Sequence, residues 1–422
     1  MNQDSAYWKK GVRYTALSDI GLRRANNQDS YAVKIASTAR QWLDRGHLFI
    51  VADGMGAHVA GEVASHLAVE TVVQSYFKRT NESPSQALVQ SVYDAHRIIK
   101  EKSRREDAYR DMGTTCDAFT MLPQGLLIAH VGDSRVYRVR NHVIEQLTFD
   151  HSLVWEVCMA TDLPFNQAPS YIPKNQITRS LGPTEKLVVD LEGPYPITVG
   201  DTFLACSDGL SGQISDREIG ELLTVFLPET AAETLVNLAN LRGGPDNITV
   251  VIAQAVESSA ATQEVDAELK IPFSSWLVLG ATVLGGMGAI FGFLLGNIPV
   301  SGLFAVITVF TAVFFLMLAK KPLFEGSPFL QNIQSGGKVP YTQTACAPSH
   351  EFAVTLSKIL YELRQATKGQ QLSINSDEAN QYEKKAVDAV KTQNLVVAIQ
   401  NYAMAINLLM RELKKLSSKK KS

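Results

Sequence analysis

Asp53, Asp208 and Asp246 lie far apart in the chain, yet each stands at the edge of a short apolar run, in IVADGMG, LACSDGL and GGPDNITVVIA. Runs of this length and composition read as buried strands. Separate strands would therefore each deliver one carboxylate, and the pattern points to one oxygen-ligand site assembled by folding. Hard divalent cations such as Mg2+ and Mn2+ prefer carboxylate, carbonyl and water ligands. The acids have no His/Cys cluster beside them, which does not fit structural zinc. Asp-Gly is also a common turn dipeptide, so neither DG pair says much alone; it is their joint placement against β-type runs that constrains the fold.

The chain has 422 residues, 45% of them hydrophobic, and a net charge of -2. That is room for a catalytic domain and at least one further module, and the neutral balance argues against nucleic acid as a partner. Cys116, Cys158, Cys206 and Cys346 are scattered without metal-ligand spacing, so a disulfide framework is not expected and a reducing compartment fits. The opening MNQDSAYWKKGVRYTA lacks an apolar h-region, so no cleaved secretory signal is expected there.

Leu48 to Ala52 reads as a buried strand, and Gly61 to Phe77 then takes helical spacing through Val63, Leu67, Val69, Val73 and Phe77. A second helix is expected from Ser85 to about Lys102. Thr115 to Leu122, Gly125 to Val131 and Ser134 to Val139 read as consecutive strands with a tight turn at Gly132 and Asp133. Helices at Asp216 to Val225 and Glu229 to Leu241 fall between the strands that carry Asp208 and Asp246. Strands clustered with helices between them indicate α+β.

Read in order, SDIGLRRANNQD (Ser18 to Asp29), DGMGAHVAGEVAS (Asp53 to Ser65), MGTT (Met112 to Thr115), VGDSRVYR (Val131 to Arg138), LTFDHS (Leu147 to Ser152), ITRSLG (Ile177 to Gly182), SDGLSGQISDREI (Ser207 to Ile219) and GGPDNIT (Gly243 to Thr249) closely resemble the bacterial branch of the metal-dependent type 2C (PPM) protein serine/threonine phosphatases. The resemblance spans roughly residues 11 to 256. It implies a four-layer sandwich of two antiparallel β-sheets flanked by helices, with metals at one edge. By position, Asp53 would bridge two Mn2+ or Mg2+ ions, the Gly54 carbonyl would bind one, and Asp208 and Asp246 would complete the other. Arg24 takes the place of the phosphate-binding arginine; the adjacent Arg23 reads as a surface residue. Asp29 would orient metal-bound waters, and Asp133 would help bind a third, weaker metal, with a turn-forming Asp as the alternative. His58 lies too far past Asp53 to match the histidine of eukaryotic relatives and is left out of the catalytic set. Gln28 and Ala57 depart from the family pattern, which has Glu and Gly there.

Phosphate monoesters hydrolyse very slowly unaided, so the site must supply a nucleophile and neutralise the phosphoryl oxygens. Two adjacent metals can do both, by lowering the pKa of a water between them and by setting positive charge against the phosphoryl oxygens. No cysteine is followed six residues later by arginine and no GxxxxGK[ST] occurs, which removes the phosphocysteine and phosphate-loop routes.

Ser274 to Gly296 and Val300 to Ala319 are free of charge, and about 20 apolar residues suffice to cross a hydrocarbon core. Two transmembrane helices are expected. The short connector at Asn297 to Pro299 makes them a hairpin, and Lys270, Lys320 and Lys321 put both flanks in the cytosol. The expected organisation is a phosphatase domain at 1–257, a linker at 258–273, the hairpin at 274–319, a linker at 320–349 and a cytosolic helical tail at 350–422. Ala386, Ala398, Tyr402 and Ala405 are spaced as in one tetratricopeptide hairpin, or in a generic helical bundle. The expectation is a multi-pass protein of the cell (inner) membrane acting on phosphoserine and phosphothreonine proteins, the targets of a serine/threonine kinase, with a protein partner for the C-terminal helices. A catalytically weak phosphoprotein-binding scaffold is the alternative; retention of the acids and Arg24 argues against it.

Overall fold

The computed structural model describes residues 11–57, 59–161, 163, 172–173, 176–256, 294, 341–369 and 377–421. Its core is two six-stranded sheets with antiparallel pairing throughout. The first runs β1 (Val12–Asp19), β11 (Ile248–Ala255), β10 (Thr202–Cys206), β7 (Arg135–Arg140), β8 (Val143–Gln146) and β12 (Thr342–Ala345). The second runs β2 (Asp29–Lys34), β3 (His47–Met55), β5 (Cys116–Leu122), β6 (Gly125–Val131) and β9 (Asp190–Tyr195), with β4 (Gly113–Thr114) added on β3.

Strand periodicity explains the layers. Along β3, Phe49 and Val51 point between the sheets while Leu48, Ile50 and Ala52 point outward, because successive side chains alternate faces. Phe203 and Ala205 against Leu204 and Cys206 repeat the pattern in β10, as do Val251 and Ala253 against Val250 and Ile252 in β11. Between the sheets Phe49 stacks on Phe119 at 4.8 Å, a contact worth about 0.5–1.5 kcal/mol beyond area burial.

The outer face of the second sheet is covered by α2 (Ala60–Lys78) and α3 (Pro84–Arg105). Pro84 opens α3, and Ser83 with Gln86 closes a capping box that satisfies its first free N–H groups. Smaller helices are α1 (Ala39–Arg45), α4 (Leu153–Thr161) and the single turn α5 (Asp208–Ser211). The first sheet is covered by α6 (Asp216–Val225), α7 (Pro228–Leu241), α8 (His350–Gly369), α9 (Asp377–Lys391) and α10 (Leu395–Lys421). Leu222, Leu235 and Val236 share one buried cluster with Phe352, Leu356, Ile399, Tyr402 and Ile406, so the segments up to 256 and from 341 onward form one compact unit.

Two expectations change here. Thr342–Ala345 falls in the stretch read as a linker, yet it pairs antiparallel with β8; its TQTA sequence has no apolar alternation to announce a strand, and the open edge of β8 supplies the hydrogen bonds. The C-terminal helices, read as a separate tail, complete the outer layer of the same compact unit, because α6 and α7 present apolar faces that need a cover. The two uncharged runs, apart from Leu294, lie outside the described residues. Among the described residues no helix is long and apolar enough to cross a membrane, and the four cysteines are buried and free of disulfides.

Candidate metal and phosphate site

Asp29 and Asp53 are register partners on β2 and β3. Asp53 is held by its backbone: its N–H donates to Thr115 Oγ1 at 2.8 Å, and its carbonyl accepts from the Thr115 N–H at 2.9 Å. The next residue must be glycine. A Cβ on Gly54 would lie 2.1 Å from the Gly61 carbonyl oxygen where β3 passes the start of α2. Gly61 is confined from the other side, because its own Cβ would sit 2.8 Å from the Gly54 carbonyl oxygen.

From the other sheet, β10 ends at Cys206 and Ser207 turns the chain, donating its hydroxyl to Asp29 Oδ2 at 2.7 Å and accepting the Thr249 N–H at 3.0 Å. Asp208 opens α5. Asp246 immediately precedes Asn247 and β11, and Gly209 passes so close that a Cβ would lie 1.9 Å from the Asn247 carbonyl oxygen. Asp133, in the β6–β7 connection, is buried.

These acids crowd one another. Burial, then the charges of Asp29, Asp208, Asp133 and Asp246, push Asp53 well above the usual carboxylate range. Burial also pushes Asp29 up to about 7 and Asp133 up to about 8, with Asp208 adding to both, and burial together with Asp246 raises Asp208. Asp29 Oδ1, Asp133 Oδ1 and Asp208 Oδ1 are buried without a hydrogen-bond partner. Like charges out of water with unsatisfied oxygens are costly, and divalent cations would relieve both costs, so the donor set fits them. Among the described residues no three His, Cys, Asp or Glu side chains close on their own into a cage.

Arg24 stands half-exposed at the rim. Its Nη2 donates to Asp246 Oδ2 at 2.7 Å, and this bond, with the charges of Asp246, Asp53 and Asp208, raises its pKa against the opposing effect of burial. Arg23 is exposed, as its register implied. His58 lies outside the described residues. Arg24, Asp29, Asp53, Gly54, Asp133, Asp208 and Asp246 are thus brought to one end of the sandwich from both sheets.

A model of the family described as protein phosphatase 2C matches residues 23–240. The chain belongs to this family. The phosphatase is 35% identical over 255 residues to protein phosphatase PhpP of Streptococcus pneumoniae, a match covering 59% of this chain and 100% of the relative. It is 35% identical over 242 residues to the serine/threonine phosphatase Stp of Listeria monocytogenes, covering 56% of this chain and 93% of the relative. Among solved structures, the S. agalactiae serine/threonine phosphatase aligns at TM-score 0.51 and 36% identity, covering 58% of this chain and 100% of the other. The M. tuberculosis phosphatase PstP aligns at TM-score 0.50 and 34% identity over 58% of this chain and 99% of the other.

Several residues of the phosphatase work at this site without having been singled out in the sequence. Asn247 staples the β1–β2 loop: its Oδ1 accepts the Gln28 N–H at 2.8 Å and its Nδ2 donates to the Ile20 and Asn26 carbonyls at 2.9 and 3.0 Å. Arg135 is clamped by Asp150 at 2.7 Å beside Asp133. His151 Nδ1 accepts the Gly132 N–H at 3.0 Å, which puts the ring proton on Nε2, facing Asp190 Oδ2 at 3.0 Å; the imidazole thereby fixes the turn that carries Asp133. Asn247, Arg135 and His151 sit inside the motifs GGPDNIT, VGDSRVYR and LTFDHS, so the signal available was adjacency to the acids. Gln28 lies against the loop after Asp53, with Nε2 at 3.5 Å from the Gly56 carbonyl.

Proposed function

We propose that this chain hydrolyses phosphoserine and phosphothreonine in proteins with the help of two divalent cations, Mn2+ or Mg2+, from a membrane-anchored domain that faces the cytosol. Its class is that of its family: it is a protein serine/threonine phosphatase. The observation that carries the reading is the set of buried carboxylate oxygens without partners beneath an exposed arginine.

Asp53, the Gly54 carbonyl, Asp208 and Asp246 would hold the two cations, and Asp133 a third, more weakly. Bound there, divalent cations supply a water of lowered pKa and positive charge opposite the phosphoryl oxygens. Arg24 offers a planar fork that matches phosphate oxygens; since it already pairs with Asp246, it takes substrate by exchanging one anionic oxygen for another. Asp29, steadied through Oδ2 by Ser207, would keep Oδ1 to accept a hydrogen bond and so orient a metal-bound water. Thr114 and Thr115 hold Asp53 rigid through its backbone, so little reorganisation is needed during the reaction.

The membrane reading rests on the two uncharged runs and their flanking lysines. The return of the chain limits its form: β11 ends at Ala255 and β12 begins at Thr342 in the same sheet, so an insert that enters a bilayer must cross it an even number of times. Full-length protein in detergent or nanodiscs, assayed on a phosphothreonine peptide, is expected to turn over with Mn2+ and to stop in excess EDTA. Equal turnover with and without chelator would refute the two-cation reading.

A further inference from the structure

The family match ends at residue 240, and the aligned S. agalactiae structure accounts for 58% of this chain. The C-terminal helices nevertheless pack on the catalytic body, and α10 does so with a fixed register. Its Asn407, buried, accepts from Asn237 Nδ2 at 2.9 Å through Oδ1 and donates through Nδ2 to Thr234 Oγ1 at 2.8 Å. A polar triad inside an apolar interface penalises every other register, since a shifted helix would leave these groups unpaired. Gln400 Nε2 donates to the Val225 carbonyl at 2.6 Å and Arg411 pairs with Glu233.

In that register α10 delivers Lys414 to the end of β1. Lys414 Nζ donates to Asp19 Oδ2 at 2.8 Å. The other oxygen of Asp19 accepts the Gly21 N–H at 3.0 Å and Asn240 Nδ2 at 3.1 Å. Gly21 begins the turn that leads to Arg24, at φ 78°, and it lies so tightly on the β11 side that a Cβ would fall 2.1 Å from the Asp246 carbonyl oxygen. The Leu22 N–H donates to the Gly244 carbonyl at 2.9 Å. A short path of direct contacts thus runs from α10 through Asp19 to the loop that presents Arg24.

We propose that α10 is a positioning element for the phosphate-binding loop, with Lys414 and Asp19 as the positioning residues that set Arg24 over the acids. The docked helix fixes the Asp19 carboxylate, which fixes Gly21 and hence the path of residues 20–24. Displacing α10 frees the loop and weakens phosphate binding while the carboxylates stay in place. This rests on the phosphatase reading above, so its test carries a readout independent of turnover.

Full-length wild type, Lys414→Glu and Lys414→Arg are compared by hydrogen exchange over residues 19–28, by direct binding of a phosphothreonine peptide, and by steady-state kinetics on that peptide. Lys414 is solvent-accessible, so the variants are expected to fold, and equal far-UV spectra check this. An exposed pair is worth up to about 1 kcal/mol, so Lys414→Glu should speed exchange in the loop and weaken binding, with KM raised about two- to fivefold and kcat within about twofold of wild type. Lys414→Arg should restore both. In an Arg24→Ala background Lys414→Glu should add nothing to KM. If wild type binds the peptide without turning it over, the phosphatase reading fails, and the inference still stands or falls on exchange and binding. Unchanged loop exchange and binding in Lys414→Glu, or an undiminished effect without Arg24, would overturn the proposal.

Discussion

Arg24 and Asp246, 222 positions apart in the chain, meet at 2.7 Å on the rim of a basin of carboxylates. In the proposed reading the same guanidinium would serve as phosphate fork and as counter-charge to an acid that holds a cation. Arg24→Ala should raise KM for a phosphopeptide by about tenfold, the value of a charge-assisted hydrogen bond. It should also lower the Mn2+ concentration for half-maximal activity, because Asp246 is released to the ion. Metal titrations of both proteins check the second effect, and a rightward shift would contradict it.

Asp208→Asn removes one charge from the crowded acids. Activity at saturating Mn2+ should fall by about two orders of magnitude or more. Stability in EDTA should move the other way: with one repulsive carboxylate gone, Tm should rise by a few degrees, about 1 kcal/mol. Calorimetry in chelator reads this directly, and a lower Tm would mean that Asp208 is structural.

His151 carries a pH signature. Burial, aided by the neighbouring charge of His130 and opposed by Asp190, holds it down to about 4, against about 6.5 in an unfolded chain. Between those values the unfolded state binds the proton and the folded state does not, so stability is full above about 6.5 and declines as pH falls toward 4. The expected loss is at most ~3 kcal/mol. The fall of Tm between these pH values should be shallower in His151→Asn than in wild type.

The buried Asn237–Asn407–Thr234 contact should govern docking of the C-terminal helices. Asn407→Ala leaves its partners unsatisfied, at a cost of about 1–3 kcal/mol, and should make the segment after residue 345 more sensitive to limited proteolysis. A fragment ending at residue 256 should melt earlier than the full chain and bind a hydrophobic dye, since Leu222, Leu235 and Val236 lose their cover.

Topology reporters placed after residue 257 and at residue 422 should both read cytosol if residues 274–319 form a hairpin. Opposite compartments would mean that one of the two spans is wrong.

Much of this site could be read from local pattern. The apolar run Leu48 to Ala52 announces a buried strand, and Asp53, Asp208 and Asp246 stand beside runs whose strand character is encoded within a few residues. Order and spacing then carried the resemblance that assigned Arg24, Asp29 and Asp133. Tertiary structure alone decided what long-range pairing creates. TQTA at 342–345 becomes a strand because β8 has an open edge, and Asn237 and Asn407 read as ordinary helix polars until two helices bury them face to face. Periodicity reports which face of an element is apolar; it cannot say which other element will cover that face, because that choice depends on the shape and unpaired groups of a surface built from distant parts of the chain.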